Sequence, residues 1–370
     1  MKIKPLRPFE LERFYAKHEF TTPLQLSASD CESLSAQELL HELGGNVDTF
    51  LQTPLGYTET RGSENLRAAI AEHYPGRESS DVLVGNAPQE LIYAAMMALV
   101  EPGDRVVTMQ PCYASLQEVA RSQGAEIVPW HGRQGEAGWT FDLDELEELL
   151  SKPTRLLVTN MPHNPTGFLP AAREWAQVAE WVDRCGAHWF SDEMYHRLER
   201  DGEDRLTPAA SLTERAISLW GLSKSFGLPG LRLGWLVSAD RRGIQRIEEL
   251  KDYLSICTNA LSELLGELVL RSGEEILRRN QQRIAQNATL MRAFSDRHPD
   301  QVSWQAPLGG PVSLATLLKE PALAHSERIR RTAGVLLVPS ALFGLEDRHL
   351  RVGLGRSNFQ AALDAWESAL

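Results

Sequence analysis

The sequence has little cysteine, and none of it is arranged to bind a metal or to form a disulfide framework. Its 370 residues include four cysteines, Cys31, Cys112, Cys185 and Cys257, and no two of them form a CxxC pair. Disulfide-stapled domains and zinc sites both need closely spaced cysteines. The spacing therefore excludes these two classes and predicts reduced, packed thiols.

The sequence also lacks a surplus of basic charge and a long apolar run. Its 38 basic side chains stand against 50 acidic ones, for a net charge of −12, which opposes binding to nucleic acid or to anionic membranes. No apolar run approaches the length of about 18 residues that a membrane span needs, and the start lacks a signal-peptide core. We therefore expect a soluble, cytoplasmic protein with no nucleic-acid, membrane or metal partner.

What the sequence does have, from about residue 80, is an alternation of short apolar runs with stretches of helical periodicity. The apolar runs lie at 82–84, 105–109, 156–159, 188–191, 216–219 and 233–237, and helical periodicity is clearest at 89–100, 115–123 and 171–185. Strands separated by helices need crossover connections. The pattern predicts an α/β fold with a mostly parallel sheet covered on both faces.

The C-terminal third has a different pattern. Helical periodicity dominates residues 242–295, with a break near 255–259. The chain is long enough for one large domain and a smaller one. We expect an N-terminal segment (1–40), a large domain (41–255) and a small C-terminal domain (256–370).

One stretch, from Ser223 to Trp235, places Lys224 in a turn of small residues eight positions before Arg232. An enzyme that uses pyridoxal 5'-phosphate (PLP) needs this combination. The cofactor's aldehyde forms an imine with an amine of lowered pKa, and its phosphate requires a fixed guanidinium. A surface lysine before a buried strand is the competing interpretation of a Ser-Lys pair alone, and the next segments count against it.

Polar residues follow two of the predicted strands. Asp192 follows the run 188–191, and a carboxylate there would keep the nitrogen of a PLP ring protonated, although a helix N-cap is the alternative. Asn164 stands in an Asn-Pro-Thr-Gly turn after the run 156–159. Held in that rigid turn, its amide can donate to the ring oxygen of the cofactor.

With these segments together, the chain resembles the fold type I PLP-dependent enzymes, and in particular the class I/II aminotransferases. The resemblance runs from about Gly56 to Asn358 and is most specific at 163–167, 192–195 and 223–234. It implies PLP bound by the large domain, a small α+β C-terminal domain packed with the N-terminal segment, and a homodimer.

The resemblance also implies a role for each matching residue. Lys224 is the lysine that binds the cofactor and carries the proton, Asp192 the partner of the ring nitrogen, and Tyr195 with Asn164 the pair on the ring oxygen. The other implied contacts are a stacking aromatic, two phosphate ligands and a tyrosine that reaches the neighbouring subunit's phosphate; these are Tyr113, Arg232 with Ser223, and Tyr57.

Substrate binding is implied at Arg351, which matches the arginine that holds the alpha-carboxylate in a bidentate pair. Arg356 competes for this role, and Arg351 could instead be a salt-bridged surface residue. Asn164 and Ser27 would also lie near the substrate if the N-terminal segment folds over the site, although a plain loop is the alternative. Tyr113 and Tyr195 taken singly could be packing tyrosines.

Two departures from the family affect the phosphate site. Many relatives have small residues whose backbone amides hold the phosphate at a helix start, where this chain has Ala87, Pro88 and Gln89. Pro88 has no N–H to donate, and the Gln89 side chain can substitute for it. Three residues before Lys224 many relatives have a hydroxyl, and here the position is Gly221. The pattern indicates a rebuilt phosphate site.

The expected activity is amino-group transfer between an L-amino acid and a 2-oxo acid by a ping-pong mechanism. The alternative is elimination or ring closure, because the segments 160–167, 223–235 and 251–255 are similar to capreomycidine synthase-like enzymes, PLP cyclases that act on a hydroxylated arginine. A PLP-binding transcription regulator would need an added basic DNA-binding domain, for which the chain has no room. The sequence leaves the substrate open.

Overall fold

The computed structural model describes residues 5–136, 138–200 and 205–370. None of the helices in these ranges is long and apolar enough to cross a bilayer. The α-helices are α1 (Glu10–His18), α2 (Ala36–Glu42), α3 (Val47–Leu51), α4 (Glu64–Ala71), α5 (Pro88–Leu99), α6 (Ser115–Ser122), α7 (Leu143–Leu150), α8 (Ala172–Cys185), α9 (Ala209–Leu212), α10 (Arg241–Lys251), α11 (Ala260–Ser272), α12 (Glu274–Arg297), α13 (Ala322–Ala333) and α14 (Phe359–Glu367).

The strands of the same ranges form one large sheet, one small sheet and one isolated pair. They are β1 (Leu24–Gln25), β2 (Val82–Asn86), β3 (Arg105–Gln110), β4 (Glu126–Gly135), β5 (Gly138–Phe141), β6 (Leu156–Asn160), β7 (His188–Asp192), β8 (Ala216–Gly221), β9 (Leu233–Val237), β10 (Val302–Trp304), β11 (Val312–Leu317), β12 (Val335–Leu336), β13 (Val338–Pro339) and β14 (His349–Gly353).

The large sheet has eight strands in the order β2-β9-β8-β7-β6-β3-β4-β5. The strands from β8 to β4 run parallel to one another, which confirms the predicted α/β class. Strand β9 is antiparallel to both of its neighbours. The segment 222–232 that joins β8 to β9 contains no α-helix, and a parallel connection needs a crossover of about a dozen residues or more.

Successive residues of the central strands point to opposite faces of the large sheet. In β3, Val106 packs with α5, α6 and α10, whereas Val107 packs with α7 and α8 on the other face. In β6, Leu156 lies on the same face as Val106 and Leu157 on the same face as Val107. This period of two explains why the buried strands read as continuous apolar runs in the sequence.

A second core surrounds the small sheet β10-β11-β14-β13, and it includes Leu26 and Cys31 of the N-terminal segment. The change from one core to the other falls within α12. Ile276 near its start packs with the large-sheet side, whereas Met291 lies in the small core. The expected boundary at 255/256 stays a prediction.

Five strands of the large sheet, β2, β3, β6, β7 and β8, end at the same edge. Strand β9 starts at that edge because it runs in the opposite direction between β2 and β8. Register places the last residue of β6, Asn160, beside the last residue of β7, Asp192. The turns that follow these strands therefore meet in space, as ligand-binding residues of open α/β sheets do.

Gly353 fixes the path of the N-terminal segment across β14. Its N–H donates to the carbonyl of Leu26 at 2.7 Å, and a Cβ added at this glycine would overlap the carbonyl of Ala28. A backbone atom cannot rotate out of such a contact. The N-terminal segment can therefore follow this path only because residue 353 has no side chain.

We expect Gly353→Ala to lower the free energy of unfolding by about 1–3 kcal/mol, the usual cost of overpacking, when measured by chemical denaturation. Gly135→Ala is the control, because a Cβ at Gly135 would meet only the Gly138 carbonyl at 3.7 Å, an ordinary van der Waals contact. Equal stability of the two variants would contradict this account.

Candidate active site

A cavity of about 540 Å³ opens at the edge where the parallel strands end. Its volume suits a small-molecule ligand. Its walls come from the large sheet, from β14 and from the N-terminal segment. The residues predicted from the sequence that line it are Pro88, Gln89, Tyr113, Asn164, Asp192, Tyr195, Ser223, Lys224, Arg232 and Arg351.

Lys224 lies in the turn after β8, and its amine reaches the N-terminal segment. Nζ donates to Ser29 Oγ at 2.9 Å, and in the described part of the chain it has no carboxylate within salt-bridge distance. Burial lowers the pKa of this amine; the charge of Asp30 acts against the shift and that of Arg351 adds to it. A larger uncharged fraction at neutral pH favours an amine that must act as nucleophile or base.

Asp192 is the last residue of β7, and its carboxylate is buried at the cavity wall. Burial raises its pKa to about 7, although the N–H of Met194, at 3.1 Å from Oδ1, and the charge of Lys224 lower it. No salt bridge reaches this carboxylate from the described residues. A cationic N–H donor in the cavity would hold it in the charged form.

A buried histidine fixes the turn that carries Asn164. His163 Nε2 lies 2.9 Å from the Pro111 carbonyl and donates to it, so Nδ1 accepts from Thr166 Oγ1 at 2.7 Å. Burial lowers the pKa of this ring to about 3, so it stays neutral. The bond to Pro111 joins the turn after β6 to the turn after β3, which carries Tyr113, and the bond from Thr166 holds the ring within its own turn.

Pro88 begins α5 and packs on two glycines of the neighbouring strands. A Cβ at Gly234 would lie 2.8 Å from Pro88 Cδ, and a Cβ at Gly221 would lie 3.0 Å from Pro88 Cγ and 2.8 Å from the Leu233 carbonyl. The Leu233 carbonyl and the proline ring together occupy the space that a side chain at 221 would need. A hydroxyl-bearing residue three positions before Lys224 would therefore have to displace backbone atoms.

The backbone near Pro88 is strained at two residues, Ala87 directly before it and Arg232 directly before the neighbouring strand β9. Ala87 has φ 73° and ψ 150°, a region that is almost restricted to glycine, and Arg232 has φ 49°. The two residues hold each other, since Ala87 N–H donates to the Arg232 carbonyl at 2.9 Å. The Arg232 side chain is exposed beside the cavity, and the Gln89 side chain lies close by at the start of α5.

Arg351 lies on β14 and is almost completely buried, with 1% of its surface exposed. Nη1 donates to Asn164 Oδ1 at 3.0 Å, and Nη2 donates to Tyr15 Oη at 2.5 Å and to the Ser27 carbonyl at 2.9 Å. The Phe343 ring lies 5.2 Å from the guanidinium carbon. The competing Arg356 instead pairs with Asp30 at 2.7 Å and is not among the cavity residues.

Three of the predicted site residues do not line the cavity. Tyr57 is 90% exposed in the segment before α4, Ala87 is buried behind Pro88, and Ser27 contributes its carbonyl to Arg351 rather than its side chain to the cavity. Ser29, two residues later, is the serine that faces Lys224.

The structure also brings residues to the site that sequence reasoning did not select. Glu12 and Tyr15 of α1 line the cavity, and so does Asn160, whose Oδ1 accepts from the Asn164 N–H at 2.8 Å. Asn160 could have been selected, because a polar residue ends an apolar strand there. No motif marks Glu12 or Tyr15, which lie far from the strand ends in sequence.

The residues around the cavity fit PLP. Two buried polar atoms, Tyr195 Oη and Arg351 Nε, have no hydrogen bond to the described residues. The Asp192 carboxylate accepts from the Met194 N–H but has no salt bridge with them. A protonated ring nitrogen, a ring oxygen and a substrate carboxylate are the complementary groups. Lys224, Ser223 and Arg232 are present for the aldehyde and the phosphate.

Comparison with known proteins gives one family. Residues 25–365 match the family model described as aminotransferase class I and II. The chain is 31% identical to capreomycidine synthase of Streptomyces vinaceus over 293 residues, which are 79% of this chain and 74% of that protein. It is 34% identical to an arginine–pyruvate transaminase of Pseudomonas aeruginosa over 201 residues, which are 52% of this chain and 50% of the relative.

Two solved structures are similar over almost their whole length. A PLP-dependent aminotransferase from Streptococcus suis superposes with a TM-score of 0.91 at 26% identity, covering 98% of this chain and 96% of that one. The PLP-dependent cyclase OrfR also superposes with a TM-score of 0.91 at 26% identity, covering 100% of this chain and 98% of that one.

We expect Gly221→Ser to weaken PLP binding by about tenfold or more, although it restores a hydroxyl, because the new side chain would displace Pro88 and the start of α5. Titration of the apoprotein with PLP, followed by fluorescence, measures this affinity. Ser211→Ala, in α9 outside the cavity, should bind PLP normally. Tighter binding by Gly221→Ser would contradict the packing argument.

Proposed function

Because the chain belongs to the aminotransferase class I and II family, whose members depend on PLP, we propose that it is an aminotransferase that exchanges the alpha-amino group of an L-amino acid with a 2-oxo acid. The observation that carries the proposal is the position of Lys224, Asp192 and Arg351 around one cavity. An amine, a ring-directed carboxylate and a carboxylate-binding guanidinium are the three groups that such a reaction needs.

PLP, when bound, supplies an aldehyde that takes up the substrate's amino group and a ring that accepts the electron pair released at the alpha carbon. Lys224 acts on the proton of that carbon. Since burial lowers the pKa of its amine, Nζ is available to remove the proton and then to deliver it to the cofactor side. Ser29, 2.9 Å from Nζ, orients the amine.

Asp192, through its buried carboxylate, would hold the proton on the ring nitrogen. Asn164 and Tyr195 would bind the ring oxygen, and Tyr113 would supply an aromatic face. The hydroxyl of Tyr113 donates to Glu12 Oε1 at 2.8 Å, so the orientation of this ring is fixed by the N-terminal helix. Ser223, Arg232 and Gln89 would hold the phosphate.

Arg351 binds the alpha-carboxylate of the substrate. Its guanidinium is already fixed on two sides by Asn164 and by the Ser27 carbonyl, so little entropy is lost when a carboxylate arrives. The bond from Nη2 to Tyr15 Oη lies beside the unpartnered Nε. A carboxylate can therefore be received without exposing the arginine to water.

Ring closure or elimination is a second candidate function. It is favoured by the 31% identity with capreomycidine synthase and by the near-complete superposition on OrfR. The same Lys224 and Asp192 would serve both reactions. These differ in whether the electron pair released at the alpha carbon takes up a proton on the cofactor side or leads to loss of a leaving group from the substrate side chain. Amino-group transfer and ring closure would use the same residues of the cavity.

A half-reaction assay tests the proposal. With the holoenzyme, an amino acid should convert PLP to its amine form with release of a 2-oxo acid, and a 2-oxo acid should restore it, as followed by absorbance. Repeated turnover of a hydroxylated arginine without any oxo acid would establish the cyclase instead. We expect Lys224→Ala to lose both the visible band of the lysine-bound cofactor and turnover, whereas Lys152→Ala, an exposed lysine, should keep both.

We also propose that the protein is a homodimer. Exposed apolar side chains concentrate at 47–57 and 253–256, and Tyr57 and Tyr253 are each 90% exposed. Hydrogen bonds join residues 58–60, which follow the first segment, to the region of the second. Thr58 Oγ1 donates to the Thr258 carbonyl. The buried Lys251 Nζ donates to the carbonyls of Thr60 and Ile256. Such a fixed apolar surface is typical of a subunit interface.

We expect Tyr253→Asp to convert the dimer to a monomer in analytical ultracentrifugation and to weaken PLP binding, because Tyr57 would reach the partner's phosphate. Tyr57→Phe should weaken PLP binding while the dimer persists. Phe20→Asp, at a side chain that is 92% exposed in another segment, is the control and should remain dimeric. A monomeric wild type with normal PLP affinity would contradict the proposal.

A further inference from the structure

One carboxylate at the cavity remains without a role once the proposed function has used the others. Among the described cavity residues the basic groups are Lys224, Arg232, Arg351 and Arg13, and the acidic groups are Asp192 and Glu12. PLP and the alpha-carboxylate account for the first three basic groups and for Asp192. Arg13 is exposed and therefore solvated and screened. Glu12 is the group left facing a substrate side chain.

Glu12 is half-buried and only partly satisfied. Its Oε1 accepts from Tyr113 Oη at 2.8 Å, and within the described ranges its second oxygen has neither a hydrogen bond nor an ion pair. A carboxylate has acceptor sites on both oxygens, so this one can take a further donor from the cavity. A charged donor would be preferred, because hydrogen bonds between ionised groups are the stronger ones.

The position of Glu12 relative to the carboxylate site is fixed by one helix. Glu12 and Tyr15 are three residues apart on α1, so their side chains lie on the same face, with Cβ atoms about 5–6 Å apart. Tyr15 contacts Arg351, and Glu12 contacts Tyr113. A substrate held by its alpha-carboxylate at Arg351 can extend its side chain along this face toward Glu12.

We propose that Glu12 binds the cationic end of the substrate side chain, so that the substrate class is a basic L-amino acid. The proposal rests on the proposed function, because it takes Arg351 as the site of the alpha-carboxylate. With Oε1 held by Tyr113, the free oxygen of Glu12 can accept from an ammonium or from one N–H of a guanidinium, and the second of these serves as the probe.

The experiment compares two ligands that lack the alpha-amino group and so cannot react with PLP. They are 5-guanidinopentanoate and its neutral isostere 5-ureidopentanoate, titrated into the holoenzyme by calorimetry. Wild type should bind the guanidino acid at least about tenfold more tightly, which corresponds to about 1.4 kcal/mol. Equal affinities would overturn the proposal without any variant being needed.

Three variants complete the test. Glu12→Gln should remove the preference for the guanidino acid, whereas Glu10→Gln, which removes the same charge at an exposed position of α1, should keep it. If Glu12 only orients Tyr113, then Glu12→Gln will weaken both ligands alike and the proposal fails. Arg351→Ala should weaken both ligands equally. If it weakens neither, the proposed function is wrong, and this outcome is separate from a failure at Glu12.

Discussion

The site depends on a carboxylate that is buried without a cation of its own. Asp192 ends a central strand, where desolvation raises its pKa to about 7, and the hydrogen bond from Met194 offsets this only in part. Folding places the group there at a cost, because a buried charge needs a partner. A ring cation removes that cost, so the binding of PLP and the ionisation of Asp192 are coupled. Tyr195 Oη and Arg351 Nε, at the same cavity, likewise have no hydrogen bond to the described residues.

Two hydrophobic cores have to be aligned to assemble this arrangement. Lys224 and Asp192 follow strands of the large sheet, whereas Arg351 lies on β14 of the small one. The N-terminal segment joins the two, since Tyr15 contacts Arg351 and Arg7 forms a salt bridge of 2.6 Å with Glu118 of α6. Helix α12 passes from one core into the other without a break. The distance between Arg351 and the residues of the large sheet is therefore set by packing rather than by a flexible linker.

How much of this could be predicted from the sequence differs between parts of the molecule. The strand ends were predictable, because buried strands are continuous apolar runs and a polar residue after such a run stands out, as at Asp192, whereas Asn164 was found through the turn motif that follows β6. The reversed direction of β9 was missed, since an apolar run has no direction. The change from one core to the other within α12 was not predicted, because the helical pattern of the sequence continues unchanged there. Glu12 and Tyr15 lie on a short helix whose tertiary position no local pattern indicates, and Tyr57 would act only in another subunit.

The packing of Pro88 on Gly221 and Gly234 has a consequence for substitutions at these positions. A Cβ at either glycine would meet the proline ring, and a Cβ at 221 would also meet the Leu233 carbonyl, which belongs to the backbone. A smaller residue in place of Pro88 would therefore leave a void without making room for a side chain at 221. Because the two residues are in contact, substitutions at 88 and 221 should not be additive in their effect on stability.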